Sequence, residues 1–246
     1  KLEAYKQHST DADLIQEADY MLVYSAYEQG RPNAVELLKD YLDVYPASRH
    51  ADEVNFLIGS AHFGQGEYQK AIFWFNESNI DMLSPEQQEA YCFRLAYSLL
   101  QIGDMEKARG YFARIEQIGT KYREASTYYV AYIDYATGKY NNALVEFTRL
   151  KDLPDYKERS LYYITQIYFI QNKYEKVISE GKELLASYPD SENNSEVYRI
   201  MGNAYYHLGN EDQAINMLSK YVSSTDSPLR GDLYILGVCY YNKGNY

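Results

Sequence analysis

A turn signal recurs along this chain at a nearly constant interval, and no other feature of the sequence constrains the fold as strongly. The intervals between successive turns are 36, 37, 35, 34, 37 and 35 residues. Apolar residues before and after each turn lie three or four positions apart, which is the spacing of one helical face. Each repeat is therefore predicted to be two helices joined by a tight turn, and it buries its apolar face by stacking on its neighbours. The turn residues are Gly30, Gly66, Gly103, Gly138, Asn172, Gly209 and Gly244.

The same periodicity sets the expected helices of each repeat. The first helices are predicted near 11–29, 50–65, 85–102, 121–137, 156–171, 192–208 and 228–243. The second helices are predicted near 31–45, 67–80, 104–117, 139–150, 173–187 and 210–223.

Helix-start signals support these boundaries. Ser84-Pro85-Glu86-Gln87 has the residues of a capping box with proline at the first helical position. Ser227-Pro228 has the same cap-plus-proline pattern. Tyr45-Pro46-Ala47-Ser48 and Tyr188-Pro189-Asp190-Ser191 are predicted to end one helix pair and to supply a cap for the next.

The repeat resembles the tetratricopeptide repeat (TPR), a helix-turn-helix of about 34 residues. In that family the eighth and twentieth positions of a repeat are small, so that the helices approach closely. The eighth positions here are Leu22, Gly59, Ala96, Ala131, Thr165, Gly202 and Gly237. The twentieth positions are Ala34, Ala71, Ala108, Ala143, Val177 and Ala214. The fifth repeat departs most from the pattern, with Thr165, Val177 and Gly181 where small, small and Phe are usual.

This resemblance implies an all-α fold, a right-handed superhelical TPR solenoid of about six and a half repeats. It predicts a single array over residues 1–246, with the last repeat truncated. The repeats are placed at 11–47, 50–84, 85–119, 121–155, 156–190, 192–227 and 228–246.

Charge and motifs exclude several classes of function. The 24 Lys and Arg against 35 Asp and Glu give a net charge of −11, which argues against a nucleic-acid partner. No apolar run approaches the roughly 18 residues of a membrane-spanning helix. None of the four histidines has the His-x-x-x-His spacing or a Cys neighbour suited to a metal, and Cys92 and Cys239 are expected to be free, packed thiols. With no phosphate loop, metal motif or nucleophile motif, the chain is predicted to be no enzyme and to need no cofactor or metal.

The TPR resemblance also implies which side chains face the concave groove. An aromatic strip flanked by amide and guanidinium groups suits an extended peptide or a partner helix. The alternative is that these tyrosines only pack between helices, as is expected of Tyr129, Tyr163, Tyr168, Tyr205 and Tyr240. The predicted groove residues are Phe93, Tyr97, Tyr128, Tyr132, Tyr135, Tyr162, Gln166, Phe169, Arg199, Asn203 and Tyr206, with Phe56, Phe63, Tyr234 and Tyr241 in the same register.

These observations predict a non-catalytic scaffold that binds a protein or peptide. Chaperone-binding TPR domains hold a C-terminal carboxylate with Lys, Asn and Arg. Arg199 and Asn203 match that clamp loosely, but Ile235 stands where Asn is needed, so a clamp is not predicted. One alternative is a glycan-binding envelope protein, although the regular repeats leave no room for the long insertions of such proteins. The other is a purely architectural spacer.

A looser resemblance concerns location. The run from Tyr41 to Tyr68 is similar to bacterial cell-envelope TPR proteins, including outer-membrane assembly lipoproteins of the BamD kind and Tol-Pal coordinators. It predicts part of a larger bacterial protein, with the periplasm or cell envelope favoured over the cytoplasm. The truncated final helix, with Leu233, Leu236 and Tyr240, is predicted to pack on the rest of the intact protein or in a dimer.

Overall fold

A computed structural model describes residues 11–244, and all its regular structure is helical. The all-α prediction is confirmed, and every predicted helix boundary agrees with the structure within four residues. A short 3₁₀ turn, Ile80–Met82, precedes the fifth helix. The α-helices among these residues are α1 (Ala12–Glu28), α2 (Ala34–Val44), α3 (Ala51–Gly64), α4 (Tyr68–Asn76), α5 (Pro85–Gln101), α6 (Met105–Ile118), α7 (Arg123–Ala136), α8 (Tyr140–Leu150), α9 (Pro154–Ile170), α10 (Tyr174–Ser187), α11 (Asn194–His207), α12 (Glu211–Ser223) and α13 (Arg230–Asn242).

The described residues form two compact units, one ending at Ser126 and the other beginning at Thr127. In the first unit, α1 to α6 pack in chain order, each helix against the next. In the second unit, α8 to α13 do the same, and buried residues of α7 join the core of α8 and α9. Each repeat therefore completes its core with its neighbours, as the sequence periodicity predicts. That residues 1–246 form one array stays a prediction.

All seven predicted turn residues have a left-handed backbone. Their φ angles run from 56° at Asn172 to 88° at Gly103, and no other described residue has a positive φ. At the second turn, the Glu67 N–H donates to the His62 carbonyl at 2.9 Å and the Gly66 N–H to the Phe63 carbonyl at 3.0 Å. These bonds satisfy the last carbonyls of α3, which is why a residue that tolerates this backbone recurs once per repeat.

One of the predicted helix starts is confirmed in detail. The Gln87 N–H donates to the Ser84 hydroxyl at 3.3 Å, and the Ser84 N–H donates to the Gln87 side-chain oxygen at 3.0 Å. Pro85 is the first residue of α5. The capping box thus fixes the beginning of the third repeat.

The other three expected caps are wrong. Helix α13 begins at Arg230 rather than after Ser227, because the Leu229 N–H donates to the Tyr221 hydroxyl at 3.1 Å while Leu229 itself remains extended. Ser48 and Ser191 lie three residues before their helices. Each accepts the N–H two residues later, at 3.1 and 3.2 Å, and so stabilises a turn instead of a helix end.

Small residues at the helix crossings permit close contact, as predicted. A Cβ added to Gly59 would lie 2.7 Å from the Phe75 ring, and one added to Gly202 would lie 2.6 Å from Leu218. At the twentieth position of the repeats, Ala71, Ala108, Ala143, Val177 and Ala214 have no exposed surface.

The fifth repeat solves its packing differently from the others. The first-helix residue Thr165 is fully buried, and its hydroxyl donates to the Leu161 carbonyl at 2.7 Å. Gly181 stands where Phe75, Phe112 and Phe147 stand in earlier repeats. The space is filled by Met201 of the next repeat, whose Sδ would lie 2.6 Å from a Cβ at Gly181. The departure in sequence is therefore compensated by a neighbour.

Replacing Ala143 with leucine tests the repeat register. Ala143 is fully buried against Ala131 and Phe147, so the larger side chain is expected to overpack the crossing and destabilise the protein by about 1–3 kcal/mol. Urea denaturation measures the loss. Val145→Leu, on the exposed side of the same helix, is the control and is expected to change stability little. A neutral Ala143→Leu variant would contradict the register.

The final helix exposes the stripe that the sequence singles out. Leu233 and Tyr240 are 41% and 36% exposed, and a Cβ at Gly237 would meet no atom within 4 Å. The corresponding stripe of α11 includes Met201 and Tyr205, which are buried. Self-association through α13 stays a prediction.

Candidate functional site

In the first unit, two of the predicted groove residues, Phe93 and Tyr97, belong to a chain of aromatic rings, whereas Phe56, predicted in the same register, is buried. Phe93 stacks on Tyr122 with ring centroids 4.5 Å apart and lies edge-on to Phe112 at 5.7 Å. Tyr97 contacts Phe63 edge-on at 5.7 Å. Phe93 and Tyr97 are half-buried, so each ring both packs on its neighbours and keeps a solvent-facing part.

In the second unit, the tyrosines of α7 surround Tyr163. The centroids of Tyr128, Tyr132 and Tyr135 lie 6.5, 6.0 and 5.0 Å from that ring. Tyr163 in turn stacks on the buried Phe147 at 4.8 Å with an interplanar angle of 11°. The predicted groove tyrosines are half-buried, and they rest on a ring that was expected only to pack. Packing and surface presentation are therefore two roles of one aromatic cluster.

Burial raises the pKa of the tyrosine hydroxyls in this cluster, which are neutral near pH 7 even at the ordinary phenol value. Desolvation raises the pKa of Tyr128 and of Tyr135 above the ordinary phenol value. It also raises the pKa of Tyr162, with a further contribution from the negative charge of Glu196. The tyrosines thus offer neutral hydroxyls, which donate and accept hydrogen bonds.

Polar side chains from α9, α11 and α13 form a network beside these rings. The Arg199 guanidinium donates from Nε to Glu196 Oε2 at 2.7 Å and from Nη2 to Glu196 Oε1 at 2.6 Å. Gln166 Nε2 donates to the same Oε1 at 3.3 Å. The hydrogen bonds to Glu196 raise the pKa of Arg199, so its charge is fixed.

Asp232 joins the network from the last helix. Asn203 Nδ2 donates to Asp232 Oδ1 at 2.7 Å, and Arg199 Nη1 lies 3.7 Å from Asp232 Oδ2. Asp232 is only 5% exposed, and its Oδ2 is buried without a hydrogen bond. Two carboxylates therefore surround one guanidinium.

The structure brings six of the predicted groove residues together here, but they play different roles. Gln166 and Asn203 are buried, and their amides bond between helices. Phe169 lies under the Arg199 guanidinium at 5.7 Å. Tyr162 and Tyr206 are half-buried, and of the tyrosines in the same register Tyr234 and Tyr241 are 73% and 66% exposed.

Sequence reasoning missed Glu196 and Asp232. Glu196 lies three residues before Arg199, a spacing that is common for exposed ion pairs, so the sequence offers no signal that the pair is half-buried. Asp232 is in the first turn of α13, where an acidic residue is ordinarily explained by the helix dipole.

Other chemistry is limited in the part of the chain that the structure describes. Within residues 11–244, no three His, Cys, Asp or Glu side chains are grouped so as to hold a metal ion. Cys92 and Cys239 are free and buried, as predicted, and burial raises the pKa of Cys92 to about 11. No helix of this part is both long enough and apolar enough to span a membrane.

Comparison with known proteins identifies the repeat. Two sequence models described as tetratricopeptide repeat match residues 17–80 and residues 89–117 and 196–224. Comparison with curated proteins by sequence finds no significant match.

Solved structures share the fold at low sequence identity. A tetratricopeptide repeat protein from Parabacteroides merdae has a TM-score of 0.57 and 15% identity, and the match covers 94% of this chain and 87% of that one. YrrB, described as a TPR protein with an unusual peptide-binding site, has a TM-score of 0.62 and 11% identity, with 85% and 99% covered. A MamA protein has a TM-score of 0.58 and 16% identity, with 73% and 98% covered. Such identities establish the fold and nothing finer.

Proposed function

Because the chain is built from tetratricopeptide repeats and has the fold of a TPR solenoid, we propose that it is a non-catalytic scaffold that binds an extended peptide or a helix of another protein. The observation that carries this proposal is the set of partly exposed tyrosines on the first helices of the second unit. They come from the first helices of four successive repeats: Tyr132 on α7, Tyr162 on α9, Tyr206 on α11 and Tyr234 on α13.

Tyrosine suits such a surface for a physical reason. A ring held by neighbouring rings loses little conformational entropy when a guest binds, and it offers a large apolar area with a polar tip. Tyr132 and Tyr135 are held in this way by Tyr163. The neutral hydroxyls meet the hydrogen-bonding needs of a peptide backbone. YrrB, which shares the fold, is described as having a peptide-binding site.

The state of Arg199 supports a guest held by its backbone and side chains rather than by a terminal carboxylate. Nε and Nη2 of Arg199 are engaged by Glu196, and Nη1 faces Asp232. A carboxylate would have to displace one of these acids, so a carboxylate clamp is disfavoured.

The cellular location is part of the proposal. We place the protein in the periplasm or cell envelope of a bacterium, on the strength of the resemblance over Tyr41 to Tyr68. Fractionation of the native host with an antibody against the protein tests this, and recovery in the cytoplasm alone would contradict it.

A double substitution tests the aromatic surface. Peptides that bind the 246-residue chain are first selected from a random display library. Their affinity for the Tyr132→Ala/Tyr162→Ala variant is expected to be at least about tenfold lower than for the unsubstituted chain, since aromatic anchors dominate such interfaces. Titration by fluorescence anisotropy measures the loss. Tyr174→Ala is the control, because Tyr174 lies outside the first helices that form the proposed surface. It is the first residue of α10, the second helix of its repeat, and it stacks on His207.

The outcomes separate the alternatives. If every selected peptide binds the double variant with unchanged affinity, the aromatic surface is not the binding site, and the result favours the interpretation of the chain as an architectural spacer. If the chain selects no peptide but binds oligosaccharides on a glycan array, the glycan-binding interpretation replaces the proposal.

A further inference from the structure

We propose that the face formed by α9, α11 and α13 recognises a basic side chain, lysine or arginine, of the bound peptide. This inference rests on the proposed function, since it names the chemistry of the guest in the same groove. Its basis is the charge balance around Arg199.

The network carries one more negative charge than positive. Glu196 and Asp232 supply two carboxylates, and Arg199 supplies the cation that pairs with both, at 2.6 and 3.7 Å. Among residues 11–244, neither carboxylate has an ion pair with another Lys or Arg. The side chain of Arg199 is only 17% exposed, so water screens this imbalance less than it would at the surface.

Asp232 makes the imbalance costly. Its side chain is almost entirely buried, and Oδ2 has no hydrogen-bond donor. A buried charge without full compensation is unfavourable, so a second cation close to the network would stabilise it.

Glu196 provides the point of access. Its side chain is 33% exposed and is therefore partly open to solvent, whereas Asp232 Oδ2 is buried. We therefore expect the guest cation to donate a hydrogen bond to Glu196. The negative charge of Asp232 then adds electrostatic attraction without direct contact.

The neighbouring rings suit a cation as well. Phe169 already has the Arg199 guanidinium at 5.7 Å from its centroid, which shows that this cluster accommodates a charged group over a ring face. Tyr162 and Tyr206 keep part of their rings exposed beside Gln166 and Asn203 of the network. The net charge of −11 would also speed the approach of a basic segment.

Small probes test the site directly, in place of a whole partner protein. The isotope-labelled 246-residue chain is titrated with N-acetyl-arginine amide and, as matched probes, with N-acetyl-glutamine amide and N-acetyl-glutamate amide. The arginine probe is expected to shift backbone NMR signals of α11 and α13 with an affinity at least about tenfold above the other two.

Conservative variants assign the effect to the network. Glu196→Gln and Asp232→Asn each remove one negative charge at nearly constant size, so each is expected to weaken the arginine probe about tenfold. Asp232→Asn retains the oxygen that accepts from Asn203, whereas Glu196→Gln keeps only one of the two oxygens that accept from Arg199. Glu175→Gln is the matched control, because Glu175 is exposed on α10 and its loss changes the net charge equally. If one network variant does not fold, the other answers the same question.

Three results would overturn the inference: no shift at α11 with the arginine probe, equal binding of the glutamate probe, or equal weakening by Glu175→Gln. The sequences of the selected peptides test the proposed function independently of this inference. Selected peptides that depend on Tyr132 and Tyr162 but contain no Lys or Arg would leave the scaffold proposal standing and refute this one. Peptides enriched in Lys or Arg that bind Glu196→Gln more weakly would support both.

Discussion

Replacing Phe147 with alanine is expected to lower the free energy of unfolding of the second unit by about 3–5 kcal/mol. The Phe147 ring is fully buried, stacks on Tyr163 at 4.8 Å and contacts Tyr128 edge-on at 6.1 Å. Truncation removes the buried ring and leaves a cavity beneath both tyrosines. Tyr163, which stacks on Phe147, also contacts the rings of Tyr132 and Tyr135 on α7. Because loss of Phe147 would loosen these rings, the same change is expected to weaken peptide binding.

Denaturant titration followed by circular dichroism measures this loss. Val145→Ala is the matched control, since Val145 is two residues away in the same helix and is 58% exposed. It is expected to alter stability by less than about 0.5 kcal/mol. A Phe147→Ala variant as stable as this control would show that the aromatic cluster is not the core of its repeat.

Replacing Arg199 with leucine is expected to lower the free energy of unfolding by about 3–5 kcal/mol, because it leaves two carboxylates without their shared cation. Glu196 loses two hydrogen bonds, at 2.6 and 2.7 Å, and the almost fully buried Asp232 loses its ion pair. The contact of the guanidinium with Phe169 is lost as well.

A second ion pair of the same spacing provides the control. Arg149 pairs with Glu146, three residues earlier, at 2.8 Å, and the Arg149 side chain is 62% exposed. Arg149→Leu is therefore expected to cost only a small fraction of the Arg199→Leu effect, because exposed ion pairs contribute little. Equal losses in thermal unfolding for the two variants would mean that burial does not set the strength of the Arg199 network.

The repeated backbone of this protein was predictable because it depends on local rules that sequence spacing expresses. The seven turn residues follow from the need for a left-handed backbone once per repeat, and even the substitution of Asn172 for glycine was assigned to the same role. The capping box at Ser84 is a similar local signal. The cap at Ser227 was wrong because a distant partner, the Tyr221 hydroxyl, captures the N–H of Leu229.

The site was less predictable because it depends on which neighbour reaches a given atom. The register predicts that Gln166 and Asn203 face the groove, yet both amides donate hydrogen bonds to carboxylates on the first helix of the next repeat. The Arg199–Asp232 pair gains its importance from burial, and burial is set by the stacking of helices rather than by local spacing. A repeat pattern therefore predicts which helices form a surface more reliably than it predicts which polar groups on that surface remain available to a guest.

The contact between Gly181 and Met201 bears on how such a chain can change over evolutionary time. Tandem repeats are commonly regarded as interchangeable modules that duplicate or disappear singly. Here a methionine of the sixth repeat occupies the volume that the fifth repeat lacks. A phenylalanine restored at Gly181 would collide with that methionine, and deletion of the sixth repeat would leave a hole in the fifth. These two modules are therefore expected to be inherited, transplanted or lost as a pair.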